Sequence, residues 1–66
     1  MEVIINGERR RVASPMSLGD AVSMLTTAAS GVAVALNGEV VRRADWACTP
    51  LSPGDQVEVL TAVQGG

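Results

Sequence analysis

Few groups in this sequence could take part in making or breaking a covalent bond. Histidine and tyrosine are absent, the five cationic side chains are all arginines, and Cys48 is the single thiol. A lone cysteine forms no internal disulfide, and without histidine there is no Cys/His cluster of the kind that holds a metal. Nothing near Cys48 in sequence favours a thiolate, so it is expected as a small half-buried side chain rather than a nucleophile. What remains is the backbone. The sequence runs out on Val63-Gln64-Gly65-Gly66, and a chain ending there exposes a glycyl carboxylate. Two glycines lose the most backbone freedom on folding and so add nothing to the stability of a small domain. Lacking Cβ atoms, they make an end thin enough to enter a narrow channel in another protein. From Val63 to Gly66 the extended reach is on the order of 13 Å. Gly66 is therefore the candidate reacting residue, and Gly65, Gln64 and Val63 are expected to give it clearance.

Such a tail needs a rigid domain behind it, and the order of elements supplies one. Met1 to Ile5 is rich in branched residues, and Asn6-Gly7 after it predicts a two-residue turn with positive φ at both positions. Glu8 to Ala13 returns as a second strand, and Arg9-Arg10-Arg11 reads as a solvated edge guarded by charge. Ser17, with Asp20 three residues on, predicts a reciprocal helix cap. Leu18, Ala21, Val22, Leu25, Ala28 and Ala29 then form one apolar stripe, flanked by Met24 as packing filler, in a helix ending near Ser30-Gly31. Val32 to Leu36 is nearly continuously apolar and predicts a strand central in a sheet. Asn37-Gly38 is a second hairpin turn before Glu39-Val40-Val41. Arg42 to Pro50 reads as irregular, with Trp46 covering an open end of the core. Ser52-Pro53-Gly54-Asp55 forms a turn, and Gln56 to Leu60 is the last strand.

Composition limits what this domain can do. At 66 residues the chain sits near the lower limit for autonomous folding, where about 60% of the unfolded chain's surface is buried. One domain over residues 1–66 is expected, too small for a large catalytic cavity. A net charge of −2 and a pI of 4.7 speak against a nucleic-acid binder that neutralises phosphates and favour a protein partner. The start lacks a basic region followed by a long apolar run, and no apolar run is of membrane-spanning length, so a cytoplasmic protein without membrane contact is expected. Without lysine, the chain is suited to be the donor in any attachment, not the acceptor.

Two strands, a helix and three more strands, with one amphipathic helix covering one face of a sheet, make an α+β fold of the β-grasp, ubiquitin-like type. In that arrangement the first and last strands lie parallel at the sheet centre, and the tail leaves from the last. Ile5-Asn6-Gly7-Glu8, Ala35 to Val41, Arg43 followed by Trp46, Leu51 with Gly54 to Val59, and Ala62 to Gly66 together resemble the ThiS family of sulfur carriers of thiamine biosynthesis. The likeness spans the whole chain, departing at Arg42, where the family often carries proline.

The resemblance implies a carrier cycle in which the chain is a co-substrate and no enzyme. A ThiF-type adenylyltransferase would use ATP and Mg, neither held by this chain, to convert the Gly66 carboxylate to an acyl-adenylate. Sulfur from a cysteine desulfurase would then give a Gly66 thiocarboxylate, and a ThiG-type thiazole synthase would accept it for thiazole formation. Ile4 and Leu60 have the parity opposite to the core pairs Val3/Ile5 and Val57/Val59. They are expected to meet on the helix-free face, on adjacent strands near the tail, as a docking patch. Two other readings remain open. One is a carrier like the small subunit of molybdopterin synthase, with the same tail chemistry. The other is a TGS-like β-grasp binding module without chemistry, in which a sequence like Gly54 to Thr61 also recurs.

Overall fold

A computed structural model describes residues 1–25 and 31–61. Among these residues five strands and two helical segments follow one another. These are β1 (Glu2–Ile5), β2 (Glu8–Arg11), α1 (Leu18–Leu25), β3 (Val32–Leu36), β4 (Glu39–Val41), the 3₁₀ segment η1 (Arg43–Cys48) and β5 (Gln56–Thr61). The sheet order is β2-β1-β5-β3-β4, with β1 and β5 parallel and the other neighbours antiparallel. This is the mixed sheet with one covering helix expected of a β-grasp fold, and β5 runs through its middle.

Strand parity sets the core. Val3, Ile5, Val57 and Val59 are 0, 2, 1 and 7% exposed and join Leu18, Ala21 and Val22 of α1 in one apolar cluster. Leu25 packs partly against it, whereas Ala28 and Ala29 of the expected stripe lie outside the described residues. Met24 is half exposed, so it is not the packing filler expected. The cap of α1 is reciprocal: Ser17 N–H donates to Asp20 Oδ2 and Asp20 N–H donates to Ser17 Oγ, satisfying two donors that the first helical turn would leave open.

Both Asn-Gly pairs are turns with positive φ at each central residue: 51° and 82° at Asn6-Gly7, 51° and 87° at Asn37-Gly38. These are the angles of the tight hairpin turn whose twist matches the flanking strands. β2 ends at Arg11, shorter than expected, yet Val12 still exchanges hydrogen bonds with Met1. It is an edge strand, as its arginines require.

β3 is an interior strand, as expected, with one face on the core. Val34 is buried and Val32 and Leu36 pack on the core, while Ala33 is exposed and Ala35 half-buried on the face without a helix. An apolar run does not by itself distinguish a doubly covered strand from one whose outer face carries alanine. The stretch after β4 differs from expectation: it is not irregular, since Arg43–Cys48 forms η1. Its cohesion comes from short-range bonds to carbonyls: Asp45 N–H to Arg42, Thr49 N–H to Trp46, and Thr49 Oγ1 to Asp45 at 2.6 Å. Trp46 anchors it, 8% exposed, with its indole N–H donating to the Val41 carbonyl at 2.9 Å. The buried indole belongs to the core cluster, and the Arg43 guanidinium lies 5.1 Å from its ring centroid.

Candidate functional site

The residues on which tail chemistry was expected, Val63, Gln64, Gly65 and Gly66, lie outside the described residues. What the structure does define is the strand that leads to them. β5 pairs with β3 over five of its six residues, from Leu36↔Val57 to Val32↔Thr61, but with β1 only at Ile4↔Gln56 and Ile5↔Val57. Side chains complete the hold at both ends. Asn37 Oδ1 accepts the Gln56 N–H at 2.9 Å, and Asn6 Oδ1 accepts the Val59 N–H at 2.8 Å. The turn asparagines therefore do two jobs, supplying positive φ and fastening β5.

On the helix-free face, register fixes the neighbours. Val40 lies opposite Ala35, Ala35 opposite Glu58, and Ala33 opposite Leu60. Val40 and Leu60 are 80% and 69% exposed. Together with the two alanines they form an apolar strip with Glu58 at its margin, around a shallow hollow of about 80 Å³. A second, open hollow of about 430 Å³ adjoins it, lined by Gly31, Val32, Ala33, Leu60 and Thr61. Exposed aliphatic side chains grouped on one sheet face are how a small domain offers a protein-binding surface.

Ile4 and Leu60 do share this face, on adjacent strands, but they do not meet. The parallel register sets Ile4 beside Gln56, four residues before Leu60, or about 13 Å along the strand. Ile4 is half-buried there, with Arg9 of β2 on its other side. The expected pair fails because parity tells only which face a residue occupies, while position along the strand depends on where β1 stops. The residues that do flank Leu60 were missed: Ala33, Ala35 and Val40. Their signal was present, since the two-residue turn at Asn37-Gly38 forces Ala35 to oppose Val40.

Cys48 is exposed, not half-buried, with its Sγ 3.4 Å from the Asp45 carbonyl oxygen. It lines a shallow groove with Pro15, Met16, Ser17, Asp20, Ala47 and Pro50. Among the described residues no group of three His, Cys, Asp or Glu side chains could hold a metal, and no helix is long and apolar enough to cross a membrane.

Known proteins resemble this chain along its length. Residues 3–66 match the ThiS family. The sulfur carrier protein ThiS of Escherichia coli is 26% identical over 66 residues, which is all of both chains. A thiazole synthase of Paramagnetospirillum magneticum is 30% identical over 66 residues, but the chain spans only 20% of that protein's length. Among solved structures, the crystal structure of the thiamine biosynthesis protein ThiS from Geobacter metallireducens shares 35% identity and a TM-score of 0.80, with both chains fully covered. The solution structure of a thiamine biosynthesis protein from the same organism gives 0.83 at 35% identity, covering all of this chain and 88% of the other.

Proposed function

This chain belongs to the ThiS family, and on that premise we propose that it is a sulfur carrier protein of thiamine biosynthesis, a co-substrate and not itself an enzyme. The reacting group in this reading is the α-carboxylate of Gly66. The observation that carries it is the extent of the family match, which runs through residue 66 and so includes both glycines.

The chemistry follows from the carboxylate. An α-carboxyl has a reference pKa of about 3.3 to 3.7, so near neutral pH it is an anion and a poor electrophile. A ThiF-type adenylyltransferase activates it: a carboxylate oxygen attacks the α-phosphorus of ATP, pyrophosphate leaves, and an acyl-adenylate forms. ATP and its Mg belong to that partner. The terminal sulfur of a persulfide, originating from a cysteine desulfurase, then displaces AMP to form an acyl disulfide, and a thiol reductant cleaves its S–S bond to leave a thiocarboxylate, a soft anionic nucleophile. A ThiG-type thiazole synthase uses that sulfur in building the thiazole. The relation to a thiazole synthase is supported by the P. magneticum protein of that name, one fifth of which resembles this chain. The carrier contributes position, not acid–base catalysis, by docking a rigid sheet while a slender tail presents the reacting atom.

The docking surface in this reading is the strip of Leu60, Val40, Ala33 and Ala35, with Ile4 at its far end. Leu60 lies two residues before position 62, so a partner seated on the strip also controls the approach of the tail.

Intact mass spectrometry after incubation with ATP, a competent activating enzyme and a sulfur source tests the proposal. The wild-type chain should gain the mass difference of one sulfur replacing one oxygen, and deletion of Gly66 should abolish the gain. An unchanged wild-type mass, with the same enzyme loading its own cognate carrier, would overturn the carrier reading and favour a binding module.

A further inference from the structure

β5 outlasts its partner strand. The last register pair between β1 and β5 is Ile5↔Val57, and Asn6 N–H still donates to the Val57 carbonyl at 2.8 Å. There β1 turns away, because Asn6 and Gly7 take up the hairpin angles. A continuing parallel strand would next have offered Val59 an acceptor and a donor. The Asn6 side chain offers both, Oδ1 accepting the Val59 N–H at 2.8 Å and Nδ2 donating to the Val59 carbonyl at 3.3 Å. The amide thus substitutes for one peptide unit of the missing strand, two residues before Thr61, where β5 ends.

The other end of β5 provides a natural comparison. Asn37 Oδ1 accepts the Gln56 N–H and its Nδ2 donates to Asp55 Oδ1. Both asparagines are in Asn-Gly turns with φ of 51°, and both bind β5, but only Asn6 holds the outgoing end. A strand held on one edge can pivot about the remaining ladder, whereas one held on both edges cannot. A neutral amide suits Val59, since one atom accepts from its N–H while another donates to its carbonyl.

We propose that Asn6 is a positioning residue, whose side-chain amide sets the course of β5 from Val59 onward and so the direction in which the chain leaves the sheet toward Gly66. The consequence for sulfur loading rests on the carrier reading above. The hold on β5 does not.

The test compares Asn6→Gly with Asn37→Gly in the full chain, since each removes an amide while glycine keeps positive φ without strain. Amide hydrogen exchange followed by NMR should show Val59 exchanging about tenfold faster in Asn6→Gly, a local opening. Glu58 and Leu60, whose N–H groups face β3, should stay near wild type, and Asn37→Gly should leave Val59 unchanged. In adenylation by the activating enzyme, at a temperature where all chains are folded, Asn6→Gly should lower kcat about tenfold with little change in KM, as misdirected reacting groups do. Asn37→Gly should alter neither. Asn6→Asp retains the acceptor, loses the donor and faces the Val59 carbonyl with a carboxylate; it should fall between wild type and Asn6→Gly, and it serves if the glycine variant does not fold. Unchanged Val59 exchange, or equal kcat in the Asn6 and Asn37 variants, would overturn the proposal. If wild type accepts no AMP, the carrier reading fails, and the Val59 exchange pattern alone decides whether Asn6 holds the strand.

Discussion

Asn6 and Val59 stand 53 positions apart in sequence and are joined by two hydrogen bonds, at 2.8 and 3.3 Å, between one side-chain amide and one peptide unit. A turn residue thereby becomes part of the sheet it leaves. The bonds are partly buried, so losing them exposes little new water to compensate. Each such bond contributes about 1 kcal/mol net, and a non-glycine residue without a local polar contact at positive φ loses roughly 1 to 2 more. Asn6→Ala, which loses both bonds and the favourable backbone, should therefore lower stability by about 3 to 4 kcal/mol. Asn6→Gly should lose only the hydrogen-bond part. Urea denaturation midpoints decide it: equal losses for the two variants would mean that backbone angle is irrelevant at this turn.

Trp46 gives the second prediction. It is the sole aromatic residue, and it joins η1 to β4 through its indole N–H and to the core through its ring. Trp46→Phe keeps a ring but leaves the Val41 carbonyl without that donor, costing about 1 to 2 kcal/mol. Trp46→Leu loses ring volume as well and should cost more, about 3 kcal/mol. Thermal unfolding followed by circular dichroism measures both, and a Phe variant as stable as wild type would remove the hydrogen bond from the account.

Arg42 gives a prediction of opposite sign. Its φ of −68° and ψ of 148° are those of a proline in extended conformation. Counting alternation from the two-residue turn, its N–H points away from β3, so no ladder bond depends on it. The Arg42–Asp45 ion pair, at 3.6 Å with the Arg42 side chain 82% exposed, contributes little. Arg42→Pro should raise stability by about 0.4 to 1 kcal/mol through the unfolded chain's lost freedom. A lower melting temperature would show that the Arg42 N–H or side chain matters in the fold. Arg42 thus holds the extended backbone that a proline would take, and the bend before η1 is intact.

Much of this architecture could be read from local pattern. Val3, Ile5, Val57 and Val59 announced the core face by alternation, Asn-Gly marked both hairpins, and Ser17 with Asp20 marked the helix start. Each of those signals is complete within a few residues. The misreadings all concern facts that no short stretch contains. That Ile4 sits beside Gln56 and not Leu60 follows from the register between strands some fifty residues apart. Exposure of Cys48 follows from the 3₁₀ winding of Arg43–Cys48, which turns Trp46 inward and leaves Ala47 and Cys48 outside. The fastening of β5 by Asn6 is invisible to any reading that gives Asn-Gly a turn role alone.

The corrected face changes what mutation of the docking surface should show. If partners seat on the strip around Leu60, the energetic centre lies where apolar side chains adjoin one another, with Ala33 opposite Leu60 and Val40 one strand further out. Truncation or charge at such a centre typically weakens binding by 2 kcal/mol or more, about 30-fold. Leu60→Glu should therefore raise the Kd for the activating enzyme at least about tenfold, and Val40→Glu should do so to a lesser degree because β4 is the sheet's edge. Ile4→Glu, flanked by Arg9 and Gln56 and about 13 Å along the strand from Leu60, should change Kd less than either. Leu60 and Val40 are solvent-facing, so their substitutions should shift folding stability by no more than about 0.5 kcal/mol, and calorimetric binding on folded variants isolates the docking effect. An Ile4 variant that loses as much affinity as the Leu60 variant would move the interface toward β1 and β2. A Leu60 variant that binds like wild type would place it on another face altogether.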